Sequence, residues 1–419
     1  MLAYLFPGQG SQREGMGKAW VDHPSFELVS EASRLSSRNL EYLLLDCPQE
    51  ELTETKNAQI ATFLMSLVVL DSIERLGIQP SITAGHSLGE YSALVATGAM
   101  SLEEGIDLVI HRGEAMQSCA LEIKGTMAAL IGLDYEGVDI ACSRADAPVW
   151  VANDNAAGQV VIAGEPAAVD KAIAITKELG AKKAMKLPVS GAFHTPFMAD
   201  ARESLRKGLA SIDWRIPANP VVANVDGRMH QGDEEWAALL SAQLCSPVRW
   251  RKTMDTIATF GVTTAIEVGP GGVLAGLARR AMGPSGVTSI GVGTPEDLTS
   301  LLNHLGGDRT EIQEVPHGES VHVTERIVIS PVSGVFSPLD NLSSQVSSPA
   351  KMAKPGKKDK PQQIRLAVGD LVGYVGDVEV VTPFGGQLQG YLTIPGERVT
   401  EGQPVAWIRT EIASEGSRI

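Results

Sequence analysis

The sequence predicts an α/β fold with a small α+β module inserted in it, followed by an all-β module. Helical patterns over 58–76, 102–118 and 167–179 alternate with short apolar strands at 81–84, 127–131, 160–163, 221–223 and 264–267. Such alternation indicates a largely parallel sheet covered by helices. Between 125 and 188 the order changes to strand, helix, two strands, helix, strand, which reads as a separate α+β insert. Beyond Ile327 the residues become β-like, and the segments 329–335 and 381–388 echo each other.

Length and charge bound what these modules do. At 419 residues the chain suits two or three domains, each able to bury a sizeable core. A net charge of −15 argues against a nucleic-acid binder. The longest apolar run, 60–70, is interrupted by Thr62 and Ser66 and falls short of the ~20 residues that span a bilayer, so it reads as a buried helix rather than a membrane insertion. No secretory or transit signal is expected at the N-terminus, where strand-like residues start at Leu2. Cys47, Cys119, Cys142 and Cys245 are scattered without metal-ligand spacing, as in a cytoplasmic protein with reduced thiols.

The first strand, 2–6, runs into Pro7-Gly8-Gln9-Gly10-Ser11-Gln12, a loop able to present backbone N–H groups to a developing negative charge. The second strand runs into Gly85-His86-Ser87-Leu88-Gly89-Glu90, with a helical pattern after it. A G-x-S-x-G run between strand and helix is a nucleophile elbow, which exposes the hydroxyl of Ser87 and aims the Leu88 N–H at an oxyanion. The adjacent His86 is expected to point to the opposite side of the elbow. A serine needs a base, and His194, in Ala192-Phe193-His194-Thr195-Pro196, is the candidate.

These segments together resemble the malonyl-CoA:acyl carrier protein transacylase family. FPGQGSQ and GHSLGE are followed, in the family's order, by Arg112-Gly113-Glu114-Ala115-Met116-Gln117, Asn153-Asp154-Asn155 with 158–164, 188–194, Gln243-Leu244 and Glu267-Val268-Gly269-Pro270-Gly271. The resemblance covers 1–305. It implies a hydrolase-like large subdomain carrying a ferredoxin-like small one, at about 125–196, with the active site in the cleft between them. It also implies roles: Ser87 as nucleophile and His194 as base, the imidazole oriented by the main-chain carbonyl of Gln243, and an oxyanion hole from the N–H groups of Gln9 and Leu88. Arg112 would grip the malonyl carboxylate, and Phe193 would crowd a branched acyl group. Asn153, Asn155 and Gln159 sit where the family lines its cleft. Malonyl-CoA and a phosphopantetheinylated acyl carrier protein are the implied substrates, in fatty-acid or polyketide synthesis, with no cofactor needed. Arg249, Arg251, Lys252, Arg279 and Arg280 form local basic spots on an otherwise acidic chain, which read either as contacts for an acidic carrier or as solvated surface charge. The rival readings are an acyl hydrolase with the same dyad and a non-catalytic scaffold that recruits carrier proteins.

After a polar linker at 306–325, residues 326–412 resemble a biotinyl/lipoyl carrier domain, a small barrel of two quasi-repeated hairpins, with a Ser/Pro/Lys-rich insert at about 343–363 expected to be disordered. Such domains place the modified lysine at a hairpin tip, where this chain reads Gly373-Tyr374-Val375-Gly376-Asp377-Val378-Glu379. With no lysine there, the module reads as an unmodified docking or oligomerisation element. Intact mass spectrometry of the purified chain is therefore expected to give the unmodified polypeptide, and a mass increment of one biotin or lipoyl group would refute this.

Overall fold

The computed structural model describes residues 1–189, 191–233, 235–305, 325–339, 364–383, 385–393 and 395–409. The chain divides into two compact units, Met1–His317 and Gly318–Ile419. The stretch 343–363 and all but the last residue of the linker at 306–325 lie outside the described residues.

The first unit contains β1 (Leu2–Phe6), β2 (Ile82–Gly85), β3 (Thr126–Ile131), β4 (Val149–Ala156), β5 (Gln159–Gly164), β6 (Lys183–Lys186), β7 (Val221–Val222), β8 (Met229–His230), β9 (Thr264–Val268) and β10 (Thr288–Val292). Six of these form one sheet in the order β10-β9-β1-β2-β7-β8, parallel except for the edge strand β8. Alternation along β1 supplies both faces: Tyr4 and Phe6 enter one apolar core, Ala3 and Leu5 the other. The run 60–70 lies in a helix, Thr55–Arg75, buried on nearly every side, as an all-round apolar pattern requires. The next long helix, Leu102–Glu122, opens on a reciprocal cap between Ser101 and Glu104 and continues a turn beyond the expected end at 118, because no breaker precedes Gly125.

The insert follows the expected order. Strands β4-β5-β3-β6 form an antiparallel sheet, and the helices Tyr135–Ala145 and Pro166–Glu178 pack on it around a third core.

Between β2 and the helix Gly89–Ala96 the chain reverses within three residues. Ser87 takes a left-handed φ of 52°, and the turn is tight enough that a Cβ on Gly85 would lie 1.8 Å from the Gly89 carbonyl carbon. One on Gly89 would lie 2.0 Å from the Phe6 oxygen. Both glycines are therefore required by the close approach of backbone to backbone.

In the second unit, β11 (Glu325–Ile329), β12 (Gly334–Pro338), β13 (Ile364–Leu366), β14 (Leu371–Val375), β15 (Val378–Val381), β16 (Gly386–Tyr391), β17 (Arg398–Val399) and β18 (Pro404–Arg409) make two sheets, β11-β18-β16-β13 and β15-β14-β12-β17. Both contribute to one core, through Val328, Leu388 and Ile408 from the first and Phe336, Val375 and Val399 from the second. The β14–β15 hairpin turns at Gly376 and Asp377, with Gly376 at φ 60°. Among the described residues no helix is long and apolar enough to cross a membrane.

Replacing Gly85 by Ala forces a side chain into backbone that has no flexible end to move, which puts the cost at the upper end of the ~1–3 kcal/mol typical of overpacking. Urea unfolding of Gly85→Ala should show that loss, and a variant as stable as the parent would contradict the geometry of the turn.

Candidate active site

Ser87 projects from the elbow into a cleft of about 270 Å³ between the main sheet and the insert. The Gln9 loop and the start of the helix Val273–Met282 line one side, and Met127, Val161 and Phe193 are among the residues opposite. Ser87 Oγ lies 2.7 Å from His194 Nε2. On the other side of the ring, Nδ1 donates to the Gln243 main-chain carbonyl at 2.8 Å. That bond fixes the tautomer: with the proton on Nδ1, the Nε2 lone pair faces the serine hydroxyl. His194 itself has a left-handed φ of 61° and directly precedes Thr195, whose side chain caps the short helix Pro196–Met198.

Burial is the main influence on this imidazole and holds its pKa down to about 3, Arg112 and His86 pushing the same way and the Gln243 carbonyl opposing. The ring is a neutral base throughout the ordinary pH range.

Arg112, on the helix Leu102–Glu122, is fully buried rather than on the helix surface. Its Nη2 donates to Ser87 Oγ at 3.1 Å and to Gln243 Oε1 at 3.0 Å, and Nη1 donates to Gln59 Oε1. The guanidinium carbon stands 5.1 Å from the centre of the Tyr91 ring. Among the described residues Arg112 forms no ion pair, and its Nε has no hydrogen-bond partner. The N–H groups of Gln9 and Leu88 likewise have no acceptor among the described residues. Phe193 is buried and lines the cleft with Asn153, Asn155 and Gln159.

His86 departs from expectation. Its ring lines the cleft, with Nε2 2.8 Å from Asn155 Oδ1 and an edge-on contact to Trp250. The left-handed backbone at Ser87 breaks the two-residue alternation of the strand, so neighbouring side chains no longer point to opposite sides.

Sequence reasoning missed three further residues. Asn224 braces the elbow, its Oδ1 accepting the Ser87 N–H and its Nδ2 donating to the Gly85 carbonyl, both at 2.7 Å. It lies two residues beyond β7, and its place past the carboxyl end of a parallel strand was the available signal. Gln59 was visible as a polar residue inside the apolar face of its helix. Glu90 stood within the quoted motif without a role.

Residues 3–294 match the acyl transferase domain family. The chain is 39% identical over 309 residues to the malonyl CoA-acyl carrier protein transacylase of Bacillus subtilis, spanning 73% of this chain and 97% of that one. For the enzyme of the same name from Escherichia coli K12 the figures are 39% over 306 residues, 72% and 98%. Among solved structures, the malonyl CoA-acyl carrier protein transacylase of Coxiella burnetii superposes with a TM-score of 0.70 at 36% identity, over 73% of this chain and 98% of that one. A malonyl-transacylase in complex with its holo type II PKS acyl-carrier protein does so with a TM-score of 0.69 at 38% identity, over 72% and 99%.

Since the folded pKa of His194 lies below its ordinary 6.5, the native state binds fewer protons than the unfolded chain between pH 6.5 and about 3. The stability from this group is thus complete above 6.5 and lost as pH falls toward 3. Reaction of Ser87 with a fluorophosphonate should accordingly stay flat from pH 8 to about 5, because the base remains unprotonated. An acid limb centred near 6.5 would show that the imidazole is not desolvated.

Proposed function

This chain belongs to the malonyl-CoA:acyl carrier protein transacylase family, and from that premise we propose that it moves a malonyl group from malonyl-CoA to the phosphopantetheine thiol of an acyl carrier protein through an ester on Ser87. The observation that carries this is the guanidinium of Arg112, buried without an ion pair and in contact with the nucleophile. A buried charge with no directly paired carboxylate is costly, and an acyl group that ends in a carboxylate supplies that pairing, held by charge-assisted hydrogen bonds, while its thioester carbonyl meets Ser87.

In the first half-reaction His194 Nε2 takes the Ser87 proton as Oγ attacks the thioester carbon. The oxyanion that forms is met by the N–H groups of Gln9 and Leu88. The C–S bond then breaks, and the imidazolium returns its proton to the leaving thiolate, releasing CoA. In the second half-reaction the carrier thiol gives its proton to His194, attacks the malonyl ester and displaces Ser87 Oγ, which recovers the proton. The Gln243 carbonyl keeps the imidazole in the required tautomer throughout. Phe193 lies beside the reacting carbon in this reading and disfavours a methyl branch, a discrimination worth ~1–3 kcal/mol.

The insert is read as ferredoxin-like, supported by its βαββαβ order and the sheet order β4-β5-β3-β6. The second unit is read as a biotinyl/lipoyl-like barrel, supported by two sheets that share one core. It is read as unmodified because its lysines all fall between 351 and 360 and none on the β14–β15 hairpin. Arg249, Lys252, Arg279 and Arg280 are exposed and suit an acidic carrier, whereas Arg251 is engaged by Asp154 at 2.9 Å.

Ser87→Ala should form no malonyl adduct on mixing with malonyl-CoA, as read by intact mass. Arg112→Ala should lose malonyl acylation by about 100-fold, the scale of a buried bidentate pair, while acetyl acylation holds or improves. Parallel losses for both acyl groups would instead make Arg112 a purely structural residue.

A further inference from the structure

One buried acid beside the dyad takes no part in the two transfer steps. Glu90 is 1% exposed, in the first turn of the helix Gly89–Ala96. Its two carboxylate oxygens meet two donors. Oε1 accepts the Asn224 backbone N–H at 3.2 Å, and Oε2 accepts a hydrogen from Gln243 Nε2. The same Nε2 also donates to the Ser87 carbonyl at 2.9 Å. With both its hydrogens committed, the Gln243 carboxamide has one way to lie, with Oε1 toward Arg112, whose Nη2 donates to it at 3.0 Å. Turned over, the amide would set its oxygen against the Glu90 carboxylate and its NH₂ against the guanidinium, two unfavourable contacts in a dry interior.

Building on the transacylase reading, we propose that Glu90 is a positioning residue for malonyl recognition: acting through the Gln243 carboxamide, it sets the direction in which Arg112 presents its N–H groups to the acyl carboxylate. The two acceptors of a carboxylate match the two donors. Burial raises the pKa of Glu90 to about 7 against the pull of Gln243, Asn224 and Arg112, so the acylation measurements are made above that pH, where the ionised form dominates. A glutamine at this position brings one acceptor and one NH₂, so it must oppose either the Asn224 N–H or the Gln243 amide. The two arms differ in consequence. The Asn224 arm braces the Ser87 elbow and bears on every acyl group alike, whereas the Gln243 arm bears on Arg112 and so on acyl groups that end in a carboxylate.

The test measures single-turnover acylation of the full chain by malonyl-CoA and by acetyl-CoA, read by intact mass, in the parent, Glu90→Gln and Glu90→Asp. In Glu90→Gln the ratio of malonyl to acetyl acylation should fall by at least about tenfold, the scale of one hydrogen bond to a charged group, with the change in the concentration dependence for malonyl-CoA. Glu90→Asp, which keeps the charge on a stem one methylene shorter, should recover part of the ratio. An unchanged ratio, or equal losses for both acyl groups, would overturn the proposal. If Glu90→Gln fails to fold, Glu90→Asp decides alone: a lowered ratio at an unchanged melting temperature supports the proposal, and an unchanged ratio or parallel losses overturn it. A parent chain that acylates Ser87 with neither group, or with both equally, would sink the transacylase reading itself rather than the role of Glu90.

Discussion

A guanidinium buried without a direct ion pair, its nearest carboxylate Glu90 held one side chain away behind Gln243, is the constraint around which this site is built. Desolvating Arg112 is unfavourable by several kcal/mol unless its hydrogens and its charge are satisfied, and the satisfying groups come from separate parts of the chain. Gln59 comes from the helix Thr55–Arg75, Gln243 from the helix Trp236–Gln243, Ser87 from the elbow and Tyr91 from the helix Gly89–Ala96 that follows it. Holding one cation therefore registers three helices against the nucleophile. Because these partners are neutral, the charge stays available to an anionic ligand, which a direct salt bridge would have consumed.

The histidine is treated in the opposite way. Its partner is a carbonyl, which orients the ring without adding negative charge, so burial and the nearby cation dominate and the imidazole stays neutral. A carboxylate in that place would stabilise the imidazolium, and it would also compete with an incoming malonyl group for Arg112. Using a main-chain oxygen keeps the two functions electrostatically separate within a few ångströms. Gln243 joins them, since its backbone serves His194 and its side chain serves Arg112.

The elbow was legible in the residues themselves because its causes are local, whereas the roles of Arg112 and Gln243 came only from the family resemblance. Gly85 is demanded by a backbone contact within the turn itself, Gly89 by the end of β1 lying against it, and the alternation of strands and helices follows from periodicity that any short window reveals. The order of elements in the insert was readable for the same reason. What stayed hidden depends on distant parts of the chain meeting. Asn224 reaches the elbow across 137 residues of sequence, and no local pattern marks it as a brace. The orientation of His86 failed for a related reason: its ring is set by Asn155 and Trp250, both far along the chain. Glu90 was in plain view, yet an acid in the first turn of a helix is ordinarily explained by the helix dipole, and only its burial against Gln243 and Asn224 distinguishes it.

The same cleft bears on the choice of acceptor. Water competes with the carrier thiol for the acyl-serine, and a hydrolase meets that step by fixing a water with polar groups next to its base. Here Met116, Met127, Val161, Leu187, Val189 and Phe193 furnish an apolar wall to the cleft that holds Ser87 and His194. That wall suits the aliphatic arm that delivers a thiol, while the polar groups of the cleft, Asn153, Asn155 and Gln159 among them, lie elsewhere on its lining. In the proposed reading Arg112 reinforces the bias, since an acyl carboxylate paired with it would occupy the space beside Ser87 from which a second polar molecule would be oriented. The base is therefore left facing whichever acceptor brings its own binding energy along the cleft, and a thiol on a long pantetheine arm does so where water does not.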